Sequence, residues 1–147
     1  MEKIEISEKQ NQMLTSLFKK RSVIGLVLII IGLLGFIPAV INLFSDAVYN
    51  YYYNSTFFFF IIGVLFTSQN REAAKSIAKG EYQAYKTECK KVGVEYATVE
   101  NNEILSKNVK KNVKKVAILG SAKSLKAGGE IGILHAGKEF WAFPLKD

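Results

Sequence analysis

Apolar residues run without a charge from Val23 to Phe44 and resume from Phe57 to Phe66; elsewhere they fall in short stretches. As a helix at ~1.5 Å per residue the first run is roughly 33 Å long. A bilayer's hydrocarbon core is about 30 Å thick, so this segment can cross it. A cleaved signal peptide would carry a shorter apolar stretch of about 7–15 residues. The second run covers only roughly 15 Å. To cross, it must take in Ala47–Thr56, where Tyr49, Tyr51, Tyr52 and Tyr53 suit the outer membrane–water boundary. The pattern predicts a transmembrane hairpin over residues 23–68, with spans at about 23–44 and 48–68. A re-entrant loop is the alternative for the second.

Small residues mark the faces on which these helices would meet. Gly25, Gly32 and Ala39 recur at steps of seven, with Gly35 on the same side, and Gly63 lies with Thr56 and Thr67 on one face of the second segment. Such stripes let helix backbones approach closely. Pro38 lacks an N–H and collides with the carbonyl of Leu34, which predicts a kink. In the N-terminal segment 1–22, Ser7 and Gln10 form a capping-box pattern. Met13, Leu14, Leu17 and Phe18 follow at helical spacing. This predicts either an amphipathic helix on the inner surface or a helical extension of the span.

Past the second run the period changes. Gln69–Lys79 is rich in helix formers, so residues 69–80 read as a juxtamembrane helix ending near Gly80. Residues 81–147 read as a small β-rich domain. Glu81–Lys90 is an expected strand, and Val92, Val94 and Tyr96 alternate, with Gly93 as a bulge. Asn101-Asn102 signals a turn. The repeated Asn-Val-Lys-Lys over residues 108–115 would put Val109, Val113 and Val116 on one helical face, which favours a short basic helix or turn. Glu130–His135 and Glu139–Phe143 read as a hairpin around Gly137-Lys138, a type II′ pattern that pairs Leu134 with Trp141, Gly132 with Phe143 and Ile133 with Ala142. Both hairpin faces are apolar, whereas a half-exposed hairpin alternates with polar residues. Either a partner covers the second face, making Leu134, Phe140, Trp141 and Phe143 a partner surface, or the domain covers it itself. The run Lys-Ala-Gly-Gly-Glu-Ile-Gly-Ile ahead of a closing hairpin resembles the end of OB-like or SH3-like barrels. The expected fold class is an α+β membrane protein: a two-helix hairpin followed by a small barrel- or sandwich-like domain.

Charge orients this picture. No Lys or Arg occurs between Arg21 and Arg71, and the only acid there is Asp46. Residues 1–22 carry five Lys/Arg against three Glu, and residues 71–147 carry fifteen Lys/Arg against nine acids, in a chain of net charge +7. Basic excess marks the cytoplasmic side. The expected location is therefore a bacterial inner membrane, multi-pass, with both termini cytoplasmic and Ser45–Ser55 outside. Lys19, Lys20, Arg21, Lys110, Lys111, Lys114 and Lys115 are candidates to face anionic lipid. Nucleic-acid binding is disfavoured, because the basic run lacks interleaved aromatics.

No catalytic constellation emerges. Cys89 is the only cysteine and His135 the only histidine, so Cys and His alone cannot complete a zinc site. No phosphate-binding loop is present, the acids show no paired spacing, and no cofactor or small-molecule substrate is expected. The leading expectation is a non-enzymatic accessory or scaffold protein whose β domain binds a protein partner or self-associates beside the lipid bilayer. The alternatives are a small membrane immunity or pore-forming defence protein, and a membrane-tethered nucleic-acid-binding domain.

Overall fold

A computed structural model describes residues 1–44 and 53–145; side chains at positions 39, 40, 42, 43 and 53–55 fall outside that description. Tyr49, Tyr51 and Tyr52, and the side chains of Tyr53 and Ala39, therefore lie outside the described residues. The protein is α+β. In chain order it has β1 (Glu2–Ile4), α1 (Glu8–Phe44), α2 (Tyr53–Ala78), β2 (Tyr82–Val92), β3 (Tyr96–Glu100), β4 (Val113–Ile118), β5 (Glu130–Ala136) and β6 (Glu139–Pro144), with a short 3-10 helix at Ala122–Ser124 before β5. It divides into two units. One contains Met1–Leu17 and Ala73–Asp147, the other Phe18–Glu72.

In the first unit β2, β3, β4, β6 and β5 close a five-stranded barrel, with β2 paired to both β3 and β5. All pairings are antiparallel except β4 with β6, which is parallel. β1 was not expected from the sequence. Glu2, Lys3 and Ile4 pair with Lys86, Tyr85 and Ala84, on the edge of β2 that β3 leaves open. Lys86 then ties three strands together through Glu2 at 3.4 Å and Glu130 at 3.6 Å.

The β5–β6 hairpin has the expected register: Leu134 opposite Trp141, Ile133 opposite Ala142, Gly132 opposite Phe143. Gly137 has φ +67° and, among the described residues, no non-glycine has positive φ, so Lys138 follows it as a type II′ turn requires. Phe143 lies over Gly132, where an added Cβ would sit 2.3 Å from the ring. The inner hairpin face, with Ile131, Ile133 and Ala142, fills the barrel together with Tyr85, Cys89, Val99, Val116 and Ile118. The outer face is buried too: Leu134, Trp141 and Phe143 are at most 4 % exposed. Leu14, Ala73 and Ile77, from the helix ends belonging to this unit, are equally buried. Gln10 donates to the Leu145 carbonyl at 2.9 Å, and Leu17 lies against Gly120. The start of α1 therefore rests on this side of the barrel, and the hairpin's second face is covered within its own unit.

Two local expectations are corrected. Gly93 is no bulge inside a strand: its N–H donates to the Tyr96 carbonyl, closing a β2–β3 hairpin with Val94 at its tip. The irregularity lies between Cys89 and Lys91 instead. The Asn-Val-Lys-Lys repeat forms no helix, though its first copy takes the turn that was the other expectation. Its second copy enters β4, where Val113 and Lys115 point outward and Val116 and Ile118 inward. Pairing to β3 and β6 satisfies that backbone and buries two large side chains, which outweighs the weak helical periodicity.

α1 begins at the expected cap. Ser7 and Gln10 exchange backbone and side-chain bonds at 3.1 and 3.2 Å, and the helix continues through Pro38 to Phe44. The N-terminal helix is thus an extension of the apolar one. α2 ends in a Schellman motif, with Gly80 at φ +72° donating to Ile77 and Glu81 donating to Ser76. Among the described residues, α1 alone is long and apolar enough to cross a membrane; an 18-residue stretch within Glu8–Pro38 has a mean hydropathy of 2.3.

The second unit is an antiparallel helix pair. Gly25 faces Thr67, Gly32 faces Phe60, and Gly35 faces Thr56, each so closely that a Cβ would overlap its neighbour. Gly63 meets the backbone of Ile29 and Gly25. Phe36 stands edge-on to Phe57 and Phe60 at 5.9 and 6.2 Å, and Arg21 lies 5.0 Å over Phe66. Large apolar side chains point outward along both helices, including Leu26, Leu33, Leu34 and Ile37 on α1 and Phe58 and Leu65 on α2.

Candidate functional site

Three strands of the barrel present one outward row. Lys91 on β2 pairs with Thr98 on β3, and Thr98 pairs with Lys115 on β4. Adjacent strands are about 4.8 Å apart, so the two lysine backbones are separated by roughly 10 Å with a hydroxyl between them. Tyr96 and Val113 stand two residues along from Thr98 and Lys115 and face the same way. Beyond Tyr96 the β2–β3 turn carries Val94 and Glu95. Lys91, Gly93, Val94, Glu95, Tyr96, Thr98 and Lys115 line an open depression of about 430 Å³. Val94 is 90 % exposed and Tyr96 half exposed.

The β3–β4 connection is held at one end of this face. The Asn101 side chain donates to the carbonyls of Lys111 at 3.0 Å and Asn108 at 3.4 Å, and Asn102 caps the N–H groups of Ile104 and Leu105. The turn signal at Asn101-Asn102 was therefore a pair of loop-fixing side chains. Residues 90–115 contain seven lysines and three glutamates. Lys110, Lys111 and Lys115 are exposed, whereas Lys114 points to the opposite side and is half-buried. Lys19 and Lys20 are exposed on α1.

The remaining candidates are dispersed. Leu134, Trp141 and Phe143 leave no exposed patch, and Phe140 is half-buried against the barrel interior. His135 stacks on Phe140 at 4.2 Å and borders a smaller depression of about 290 Å³ with Tyr82, Gln83 and Gly137. Cys89 lies inside the barrel, where burial pushes its thiol up and a backbone hydrogen bond with Lys91 weakly opposes this. His135 pairs with Gln83, six residues from Cys89 along β2, so roughly 20 Å separates the two. They cannot act as a dyad. Among the described residues no group of three His, Cys, Asp or Glu side chains converges.

The row from Lys91 to Lys115 was not singled out by sequence. Its signal was present only as alternation: Tyr96 and Thr98, then Val113 and Lys115, occupy the outward positions of two strands whose inward residues include the buried Ala97, Val99, Val116 and Ile118. Comparison with protein-family models, with curated proteins and with solved structures finds no match to this chain.

Proposed function

We propose that this chain is a non-enzymatic scaffold of the bacterial inner membrane. Its two helices cross as a hairpin, and its barrel, with both termini, lies on the cytoplasmic side and binds a protein partner. The observation that carries this reading is the division of the helices. The boundaries between the units fall inside α1 and α2, at Leu17/Phe18 and Glu72/Ala73, with no linker between them. The same helices that present apolar side chains outward also supply Leu14, Ala73 and Ile77 to the buried face of the barrel unit. A catalytic domain merely attached to a membrane does not need its anchor to complete its core; a presented binding module can be built this way. The lysine distribution on either side of the Arg21–Arg71 interval supports the orientation.

Chemical cross-linking of the intact chain in its native membrane, followed by purification in mild detergent, tests the reading. The expected result is a stoichiometric complex with another protein or with further copies of the chain. In the same membranes, a cysteine placed at Asn50 should react with an impermeant reagent from outside, and one at Lys138 only after permeabilisation. A partner-free monomer, or the inverse labelling pattern, would sink the proposal.

A further inference from the structure

We propose that the Lys91–Val94–Tyr96–Thr98–Lys115 face is a docking site for an acidic peptide segment of a partner protein. The inference rests on the scaffold reading and names its site. Lys91 and Lys115 stand on the outer strands of the row with Thr98 between them, so carboxylates along an extended peptide can reach both, with a hydroxyl available to its backbone. Val94 and Tyr96 supply the apolar contact that such a segment needs beside its charges. Charge complementarity is local: two lysines, Lys91 and Lys115, line the depression against one acid, Glu95.

A single-stranded nucleic acid would also seek lysines. It would want successive aromatic platforms, and Tyr96 is the only aromatic side chain lining this depression. A lipid headgroup would use the lysines but not the row of Thr98 and Tyr96 between them. Both are outcomes that the test separates.

The test uses the intact chain in its own membrane, with a photo-cross-linking residue at Val94 and, as control, at the exposed loop residue Ile104. Mass spectrometry of the adducts should return Asp/Glu-rich peptide segments from Val94 and not from Ile104. Joint Lys91→Glu and Lys115→Glu substitution should lower the Val94 yield about tenfold or more, Lys91→Arg with Lys115→Arg should preserve it, and Glu95→Lys should raise it. Unchanged Trp141 fluorescence would show that the variants remain folded. RNA or lipid adducts at Val94, neutral or basic peptides, or a yield indifferent to charge reversal would overturn the proposal. If Val94 gives no adduct while the purified chain still carries a stoichiometric partner, this site falls and the scaffold reading stands. If the chain carries no partner either, both fall.

Discussion

Cys89 sits where β2 changes partner, opposite Val99 of β3 and next to the end of its ladder with β5. Its carbonyl and N–H are held by Gly128 and Gly129 at 2.7 and 2.9 Å, which fixes the side chain inward. Burial keeps the thiol protonated above its ordinary value of 9.0. The folded chain therefore holds this proton when the unfolded chain has lost it. The resulting contribution to stability is complete below about pH 9 and is lost as pH rises through the raised value, with a slope of at most about 1.4 kcal/mol per pH unit. Thermal melting of the intact chain in detergent, followed by Trp141 emission between pH 8 and pH 11, should show a fall that is shallower in Cys89→Ala. Equal slopes in the two proteins would remove the argument. Read alone, this cysteine and His135 invited a test for a dyad; only strand register, which places His135 opposite Gln83, separates them.

At the scale of elements, legibility followed the strength of local chemistry. The β5–β6 hairpin was readable because Gly137-Lys138 dictates its turn and the turn dictates its register. The cap of α1 was readable because Ser7 and Gln10 satisfy each other within one turn. β1 was not, since three residues carry no period and Glu2–Ile4 becomes a strand only by pairing with β2. The β4 repeat was misread because two valines four apart satisfy a helix as well as a turn-to-strand junction; the decision belongs to β3 and β6. Between α1 and α2 the small residues pair within one chain: the Gly32 face touches Phe60, and Gly35 touches Thr56. Gly32→Ile should push the helices apart. Overpacking of this kind costs about 1–3 kcal/mol, visible as a lower detergent-denaturation midpoint. Leu33→Ile, on the exposed side, should leave the midpoint in place. Equal effects of the two substitutions would mean that the glycine face does not set the approach.

For the whole molecule the decisive relation is between the barrel and the helix ends that complete it. All five barrel strands lie between Tyr82 and Pro144, so residues 81–147 look like a domain by topology. By burial they are not self-sufficient, because Leu134, Trp141 and Phe143 are buried in a unit whose core also takes in Leu14, Ala73 and Ile77, and the start of α1 meets the barrel at Leu145 and Gly120. Uncovering a large apolar side chain costs about 1.5–3 kcal/mol. Three such side chains cost on the order of 5 kcal/mol or more, against a usual domain stability of about 5–15 kcal/mol. This explains why the apolar hairpin looked like a partner surface in the sequence: its cover comes from segments more than fifty residues away along the chain, roughly. It also shifts the search for a binding surface to the opposite character of side chain, the exposed lysines and tyrosine of β2–β4. Residues 81–147 expressed alone should show red-shifted Trp141 emission, bind an apolar dye and self-associate. Leu14→Ala in the intact chain should move Trp141 emission part of the way in the same direction. A monomeric 81–147 fragment with the emission of the intact protein would show that the barrel closes without the helix ends of its own unit, and would remove this argument.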